Sequence, residues 1–182
     1  MRIIAGQHKG RRLISPKGDH IRPALDQVKE AIFNILFDVT DFNVLDLFAG
    51  TGNLGIEALS RGAAHCTFVD NHREALQIIK KNLALCSFIE KSTLLPLVTP
   101  KAIKFLEEKE EIFDLIFCDP PYERGWIRKS LVKLETASFV GPKTILCIEH
   151  HPKEPIPPFK GLILTDSRKY GQTLVSFLRK KQ

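Results

Sequence analysis

The spacing of apolar positions changes several times along the chain, and each change marks an element. Short β-prone runs at residues 2–6 and 11–15 flank Gln7-His8-Lys9-Gly10, a link closed by glycine, and predict a basic hairpin. Pro16, Gly18 and Pro23 then punctuate a loop. From 25 to 37, Leu25, Val28, Ile32, Ile35 and Leu36 recur at helical spacing and predict the first helix. Beyond residue 43, strand-like runs at 43–48, 64–69, 93–98, 113–118 and 144–148 alternate with helical patterns at 53–61, 72–85, 101–109 and 127–139. Such alternation predicts a parallel sheet covered on both faces.

Residues 149–182 break the rhythm. After Pro152, Pro155, Pro157 and Pro158, the strand-like runs 162–167 and 173–178 are separated only by 168–172. A parallel crossover needs about a dozen residues or more, so these two strands must pair antiparallel. That departs from the all-parallel order of dinucleotide dehydrogenases.

Composition narrows the class further. A chain of 182 residues, 43% hydrophobic and 26% charged, suits one compact domain with at most a small appendage, and excludes collagen and low-complexity disorder. Cys66, Cys86, Cys118 and Cys147 form no Cys-x-x-Cys pair and read as buried reduced thiols of a cytoplasmic protein. Neither a signal-peptide core nor a membrane-length apolar run is present in the sequence.

The charge is placed at the ends. Residues 1–23 carry a net +5 and residues 160–182 another +5, while 24–159 sum to −4. A slightly acidic body with basic extremities suggests a catalytic domain whose ends touch a polyanion, most plausibly nucleic acid.

Two constellations carry chemistry. The first, Asp46-Leu47-Phe48-Ala49-Gly50-Thr51-Gly52-Asn53-Leu54-Gly55, sets G-x-G-x-x-G between a strand and a helix, with Asp70 at the next strand's end. Glycines permit a close backbone approach to a ligand, and an acid at the second strand tip can accept ribose hydroxyls. This predicts an adenosine-containing cofactor. Asp46 would oppose the pyrophosphate of NAD but suits the cationic ammonium of S-adenosylmethionine, and the antiparallel end of the sheet agrees with the latter.

The second constellation is Asp119-Pro120-Pro121-Tyr122, directly after the strand 113–118. In an open α/β sheet, ligands bind outside such strand tips. Two prolines fix the backbone and leave carbonyls that can only accept. A carboxylate beside a fixed carbonyl matches an exocyclic NH2, and Tyr122 offers a face on which a base can stack. Elsewhere bland readings prevail. His150 and His151 should point to opposite faces of an extended segment, Trp126 reads as a helix-entry anchor before it reads as a pocket wall, and His8 touches phosphate or nothing. No metal set is evident.

Asp-Pro-Pro-Tyr with the glycine loop resembles the amino-group methyltransferases that act on adenine, cytosine or guanine. The opening of the chain narrows this. Arg2-Ile3-Ile4-Ala5-Gly6, Gly10-Arg11, Arg22-Pro23, Asp26, Val28-Lys29-Glu30 and Phe33-Asn34 resemble the bacterial RsmD family, which methylates N2 of one guanine in 16S ribosomal RNA. So do Leu59-Ser60-Arg61-Gly62-Ala63 and Tyr170-Gly171. The resemblance implies a class I S-adenosylmethionine-dependent, Rossmann-like α/β fold, with a seven-stranded sheet whose last strand is antiparallel.

It divides the chain into a basic hairpin and loop, 1–23, and a methyltransferase domain, 24–182. It implies that Asp46, Phe48, Ala49, Gly50, Thr51, Gly52 and Asp70 hold the cofactor, with Lys101 and Ala102 at the third strand tip and Arg22 in a covering segment. Asp119, Pro120, Pro121 and Tyr122 would hold the guanine amine, and Arg2, Lys9, Arg11 and Arg12 the RNA. The expected partner is 16S rRNA, free or in the small subunit, for a monomeric enzyme without a membrane partner.

Two departures stand out. Ala24 replaces the family's threonine after Arg-Pro, and Lys101, beside Ala102, stands where an Asp or Asn commonly accepts the adenine amine. Lysine cannot accept that bond, so a backbone carbonyl within 99–102 must substitute or affinity must fall. The alternatives are an adenine N6 methyltransferase, disfavoured because the chain leaves no room for a target-recognition domain, and a non-catalytic RNA-binding assembly module, disfavoured by the intact motifs.

Overall fold

The structure, a computed structural model, describes residues 1–16, 23–121 and 125–181, without the side chains of 23–25. Arg22 and Tyr122 thus lie outside the described residues. The N-terminal arms pair antiparallel through the bridge between Arg2 and Arg12, with Ile3 N–H donating to the Arg11 carbonyl and Leu13 N–H to that of Met1. The elements then run α1 (Pro23–Leu36), β1 (Asn43–Asp46), α2 (Asn53–Ser60), β2 (His65–Val69), α3 (Arg73–Leu85), β3 (Ser92–Leu95), α4 (Thr99–Glu107), β4 (Phe113–Cys118), α5 (Trp126–Thr136), β5 (Val140–His150), β6 (Leu162–Tyr170) and β7 (Thr173–Lys180).

They form one seven-stranded sheet in the order β3-β2-β1-β4-β5-β7-β6. β1 to β5 pair parallel, and β7 is antiparallel to both of its neighbours. The chain reverses its direction of travel across the sheet between β1 and β4. This is the switch point where open α/β sheets leave a crevice at the strand tips. Both sequence motifs leave strands at that place.

Period-2 alternation along the strands feeds two cores. On one face Val44, Phe68, Leu115 and Phe117 pack with α1, α2 and α3, and Ile3 and Leu13 of the hairpin join that same cluster. On the other, Leu45, Ile116, Cys118 and Ile148 pack with α4 and α5. The hairpin therefore shares the core beneath α1 and α2. Gly6 makes this possible, because a Cβ there would sit 1.8 Å from the Ser60 carbonyl oxygen. Gly55 does the same for α2, since a Cβ would meet the Phe68 ring at 2.3 Å. All four cysteines are free and buried. No helix among the described residues is long and apolar enough to cross a membrane.

Several boundaries shift from the sequence expectation, each for a physical reason. β3 stops at Leu95 because Pro96 has no N–H for the ladder, and α4 starts at Thr99 because Pro100 suits a first turn. The helix expected at 127–139 ends at Thr136, and β5 begins at Val140. The apolar spacing ran on through Phe139, whose ring packs edge-on against Phe113 at 5.7 Å and is not helical. The strand expected from residue 144 starts four residues earlier, where the Thr144 hydroxyl accepts the Gly141 N–H at 2.8 Å and donates to the Phe113 carbonyl at 2.6 Å. Those bonds span the irregular register between Phe113 and Leu115. The link expected over 168–172 shrinks to Gly171-Gln172, with Tyr170 paired to Thr173.

Candidate active site

A cleft of about 1190 Å³ opens over the switch point. Phe48 and Gly50 after β1, Asp70 after β2, Leu97 to Thr99 after β3, Asp119 to Pro121 after β4 and Glu149 on β5 line it. Two motifs seventy residues apart thus share one cavity because β1 and β4 are neighbours in the sheet.

The glycine loop is fixed by its own acids. The Gly50 N–H donates to Asp70 Oδ2 at 2.9 Å, and the His72 N–H donates to Asp70 Oδ1 at 2.8 Å. A carboxylate has about four acceptor sites, so capacity for a ligand hydroxyl remains. Asp46 does not reach the cleft wall. It lies 2% exposed under the loop, its Oδ2 accepting the Gly55 N–H at 3.2 Å. Burial pushes its carboxyl up to about 7, against the pull of the Gly55 N–H and with the Asp70 charge adding to the rise. Asp119 is also held well above the ordinary carboxylate range, by burial first and then by the charges of Glu149 and Asp46.

That donor set discriminates between the cofactors weighed above. Asp70, Asp119 and Glu149 on the wall and Asp46 beneath it offer acidic groups and no fixed positive charge, which disfavours a pyrophosphate and suits a sulfonium and an ammonium. No lysine or arginine stands among the described residues lining the cleft. The residues present fit S-adenosylmethionine and do not fit NAD.

Other expected residues are placed differently. Ala49, Thr51 and Gly52 do not line the cleft; within the turn the Gly52 N–H donates to the Ala49 carbonyl at 2.7 Å. Lys101 is exposed and Ala102 fully buried, and neither lines the cleft; Leu97, Val98 and Thr99 do. The position expected at the third strand tip thus falls inside α4, which already begins at Thr99. The Val98 carbonyl accepts the Lys101 and Ala102 N–H groups. Trp126 is both the first residue of α5 and a cleft wall, edge-on to Phe48 at 6.3 Å. His150 is buried, its ring bridging the Glu154 carbonyl at 3.0 Å and the Ser176 hydroxyl at 2.9 Å. The His8 ring turns edge-on to Phe88 at 5.0 Å.

Sequence reasoning missed Glu149, which reads as the tail of a strand, and Gln172 and Thr173 of the β6–β7 turn. It also missed the clasp beneath the hairpin. Lys29 Nζ donates to the Arg2 carbonyl at 2.6 Å and to Asn53 Oδ1 at 2.7 Å, and pairs with Glu57 at 3.2 Å. Glu57 in turn accepts the Ile4 and Ala5 N–H groups at 2.8 and 3.0 Å. The Asn82 amide accepts from Ile14 N–H at 2.7 Å and donates to the carbonyls of Ile14 and of Thr51 in the glycine loop at 3.0 and 3.1 Å. On the outer side, Arg2, Lys9 and Arg12 wall a groove against α1, with Arg2 3.4 Å from Asp26. Arg11 is exposed and donates to the Leu85 carbonyl.

Comparison with known proteins follows the same lines. The family model described as conserved hypothetical protein 95 matches residues 1–179. The Escherichia coli protein named Ribosomal RNA small subunit methyltransferase D is 36% identical over 158 residues, 86% of this chain and 78% of its own. YlbH of Bacillus subtilis is 36% identical over the full length of both chains. Among solved structures, yhhF of Escherichia coli superposes with a TM-score of 0.86 at 31% identity, covering 100% of this chain and 98% of that one.

Proposed function

Since the chain belongs to the RsmD family, and its fold is that of S-adenosylmethionine-dependent methyltransferases, we propose that it methylates ribosomal RNA of the small subunit, at the exocyclic N2 amine of one guanine in 16S rRNA. The observation that carries this reading is the shared cleft: the glycine loop with Asp70 on one side and Asp119-Pro120-Pro121 on the other. S-adenosylmethionine, when bound, supplies a methyl group on a sulfonium. Phe48, Gly50 and Asp70 would hold it, with Leu97 and Val98 as an apolar wall for its adenine and Asp46 favouring its cationic end through the field.

Asp119 and the Pro120 carbonyl accept the two N2 hydrogens of the target. The N2 lone pair is delocalised into the ring and becomes nucleophilic only when those bonds turn the NH2 out of conjugation. Positioning then supplies much of the rate, with the reacting atoms held ~3 to 3.5 Å apart. Positive charge develops on N2 next to the Asp119 carboxylate, which stabilises it. Asp119 can also take the proton of the alkylated amine, because burial and its acidic neighbours raise its proton affinity well above that of a free carboxylate. Phe48, Trp126 and Tyr170 offer aromatic surface in the same cleft. The guanine must be unpaired or flipped to enter, which favours a loop of RNA.

Arg2, Lys9, Arg11 and Arg12 of the hairpin, 1–23, would contact RNA outside the cleft, while 24–182 forms the catalytic domain. A ribosomal substrate places the enzyme in the cytoplasm. The test is transfer of labelled methyl to small-subunit particles from cells lacking this protein. N2-methylguanosine is the expected product by mass spectrometry; N6-methyladenosine, or no methylated nucleoside, refutes the reading.

A further inference from the structure

We propose that Glu149 selects the base, its carboxylate accepting the N1–H of guanine beside the N2 amine held by Asp119 and Pro120; this rests on the function proposed above. The Asp-Pro-Pro motif alone is indifferent to the base, because every exocyclic amine presents two N–H donors. What differs is the ring nitrogen next to that amine. In guanine N1 carries a hydrogen, whereas the corresponding nitrogen of adenine or cytosine is an acceptor. A fixed acceptor beside the amine pocket therefore admits guanine and repels the other two. An ionised carboxylate can only accept.

Strand register puts Glu149 at that place. β4 and β5 run parallel with Cys118 opposite Ile148, so the next residues outward are Asp119 and Glu149. Neighbouring strands lie about 4.8 Å apart, which brings the two carboxylates side by side on one wall, and both line the cleft. The Glu149 charge is one of the causes that raise the Asp119 carboxyl, as such proximity requires. Glu149 is also rigidly held. It lies within β5, paired to Val175 of β7 on the side away from β4, and is only 7% exposed. Tyr170, Gln172 and Thr173 of the β6–β7 turn close the same end of the cleft. A base entering there meets two acid side chains carried at neighbouring strand positions, one for the amine and one for its ring neighbour.

The decisive measurement is a base-preference ratio. Small-subunit particles from cells lacking this protein, and the same particles with adenine in place of the target guanine, are methylated by parent and by Glu149→Gln. Products are identified by mass spectrometry. Parent should act on guanine with a strong, measurable preference over adenine. In Glu149→Gln the guanine-to-adenine ratio of kcat/KM should fall by about a hundredfold or more, because the amide can turn a donor toward adenine N1, while S-adenosylmethionine affinity stays at the parent value. An unchanged ratio overturns the proposal, and so does loss of transfer to both bases with cofactor affinity and Tm intact. Should Glu149→Gln fail to fold, Glu149→Asp keeps the acceptor and must retain the guanine preference at a lower rate; loss of preference in that variant is equally fatal. Parent that places no methyl on guanine N2 defeats the proposed function, and this inference with it, so the parent's own product tells the two failures apart.

Discussion

Asp46 and Asp119 occupy one acidic neighbourhood and yet carry different expectations. Asp119→Ala removes the proposed acceptor of the target amine without touching the glycine loop. Single-turnover transfer should drop by about a thousandfold, with S-adenosylmethionine affinity unchanged by calorimetry; parent-like turnover would end its assignment. For Asp46 the proposed action is on the cofactor side, through its proton. Its folded value of about 7 lies above the ordinary 3.8, so between those pH values the folded protein holds a proton that the unfolded chain has lost. Stability from this group is fully present below pH about 4 and falls as pH rises to about 7. A cationic ligand prefers the ionised form, so its affinity should rise across the same window and level off above pH 7. Calorimetry near pH 6.5 in buffers of different ionisation enthalpy should show protons released on binding; uptake would reverse the sign. Asp46→Asn should raise the cofactor-free Tm at pH 8 and weaken binding. Asp46, Asp70 and Asp119 were legible as single letters next to strand ends and glycines. Glu149 was not, because nothing local separates it from a strand tail.

Elements were legible where periodicity is strong, as for β4, whose bounds match the run 113–118, and for α3, expected over 72–85 and found over Arg73–Leu85. They were misjudged where one irregular residue decided the matter, as at Pro96, Pro100 and the stitched Gly141-Pro142 segment. The hairpin shows how far local pattern reaches. Its two arms follow from β-prone runs and a terminal glycine, but its attachment to the body depends on Lys29, Glu57 and Asn82, which sit in helices and read as ordinary polar positions. Asn82 is wholly buried and joins Ile14 to the Thr51 carbonyl. Asn82→Ala would leave those backbone groups without partners, at a cost of about 1–3 kcal/mol. Exchange of the Ile14 amide should accelerate by roughly tenfold or more, read by hydrogen-exchange mass spectrometry; parent-like protection would show that Asn82 does not secure the hairpin.

At the scale of the whole molecule, the excess positive charge at the two ends is the feature most directly tied to a polyanionic substrate. Replacing both Arg11 and Arg12 with Ala should weaken RNA binding and make the plot of log K against log salt shallower by about 1–2. An unchanged slope would remove the hairpin from the RNA interface. By itself the sequence determined the alternating α/β pattern, the antiparallel end, the glycine loop and the proline-stiffened acid, because each depends on neighbours within a few residues. Only the tertiary structure decided which distant side chains meet: Asp119 beside Glu149, Phe48 against Trp126, the β6–β7 turn over the cleft, the hairpin on Asn82. Those meetings follow from strand order and register, which are set by burying two whole faces of a sheet at once and leave no mark on any short stretch of chain.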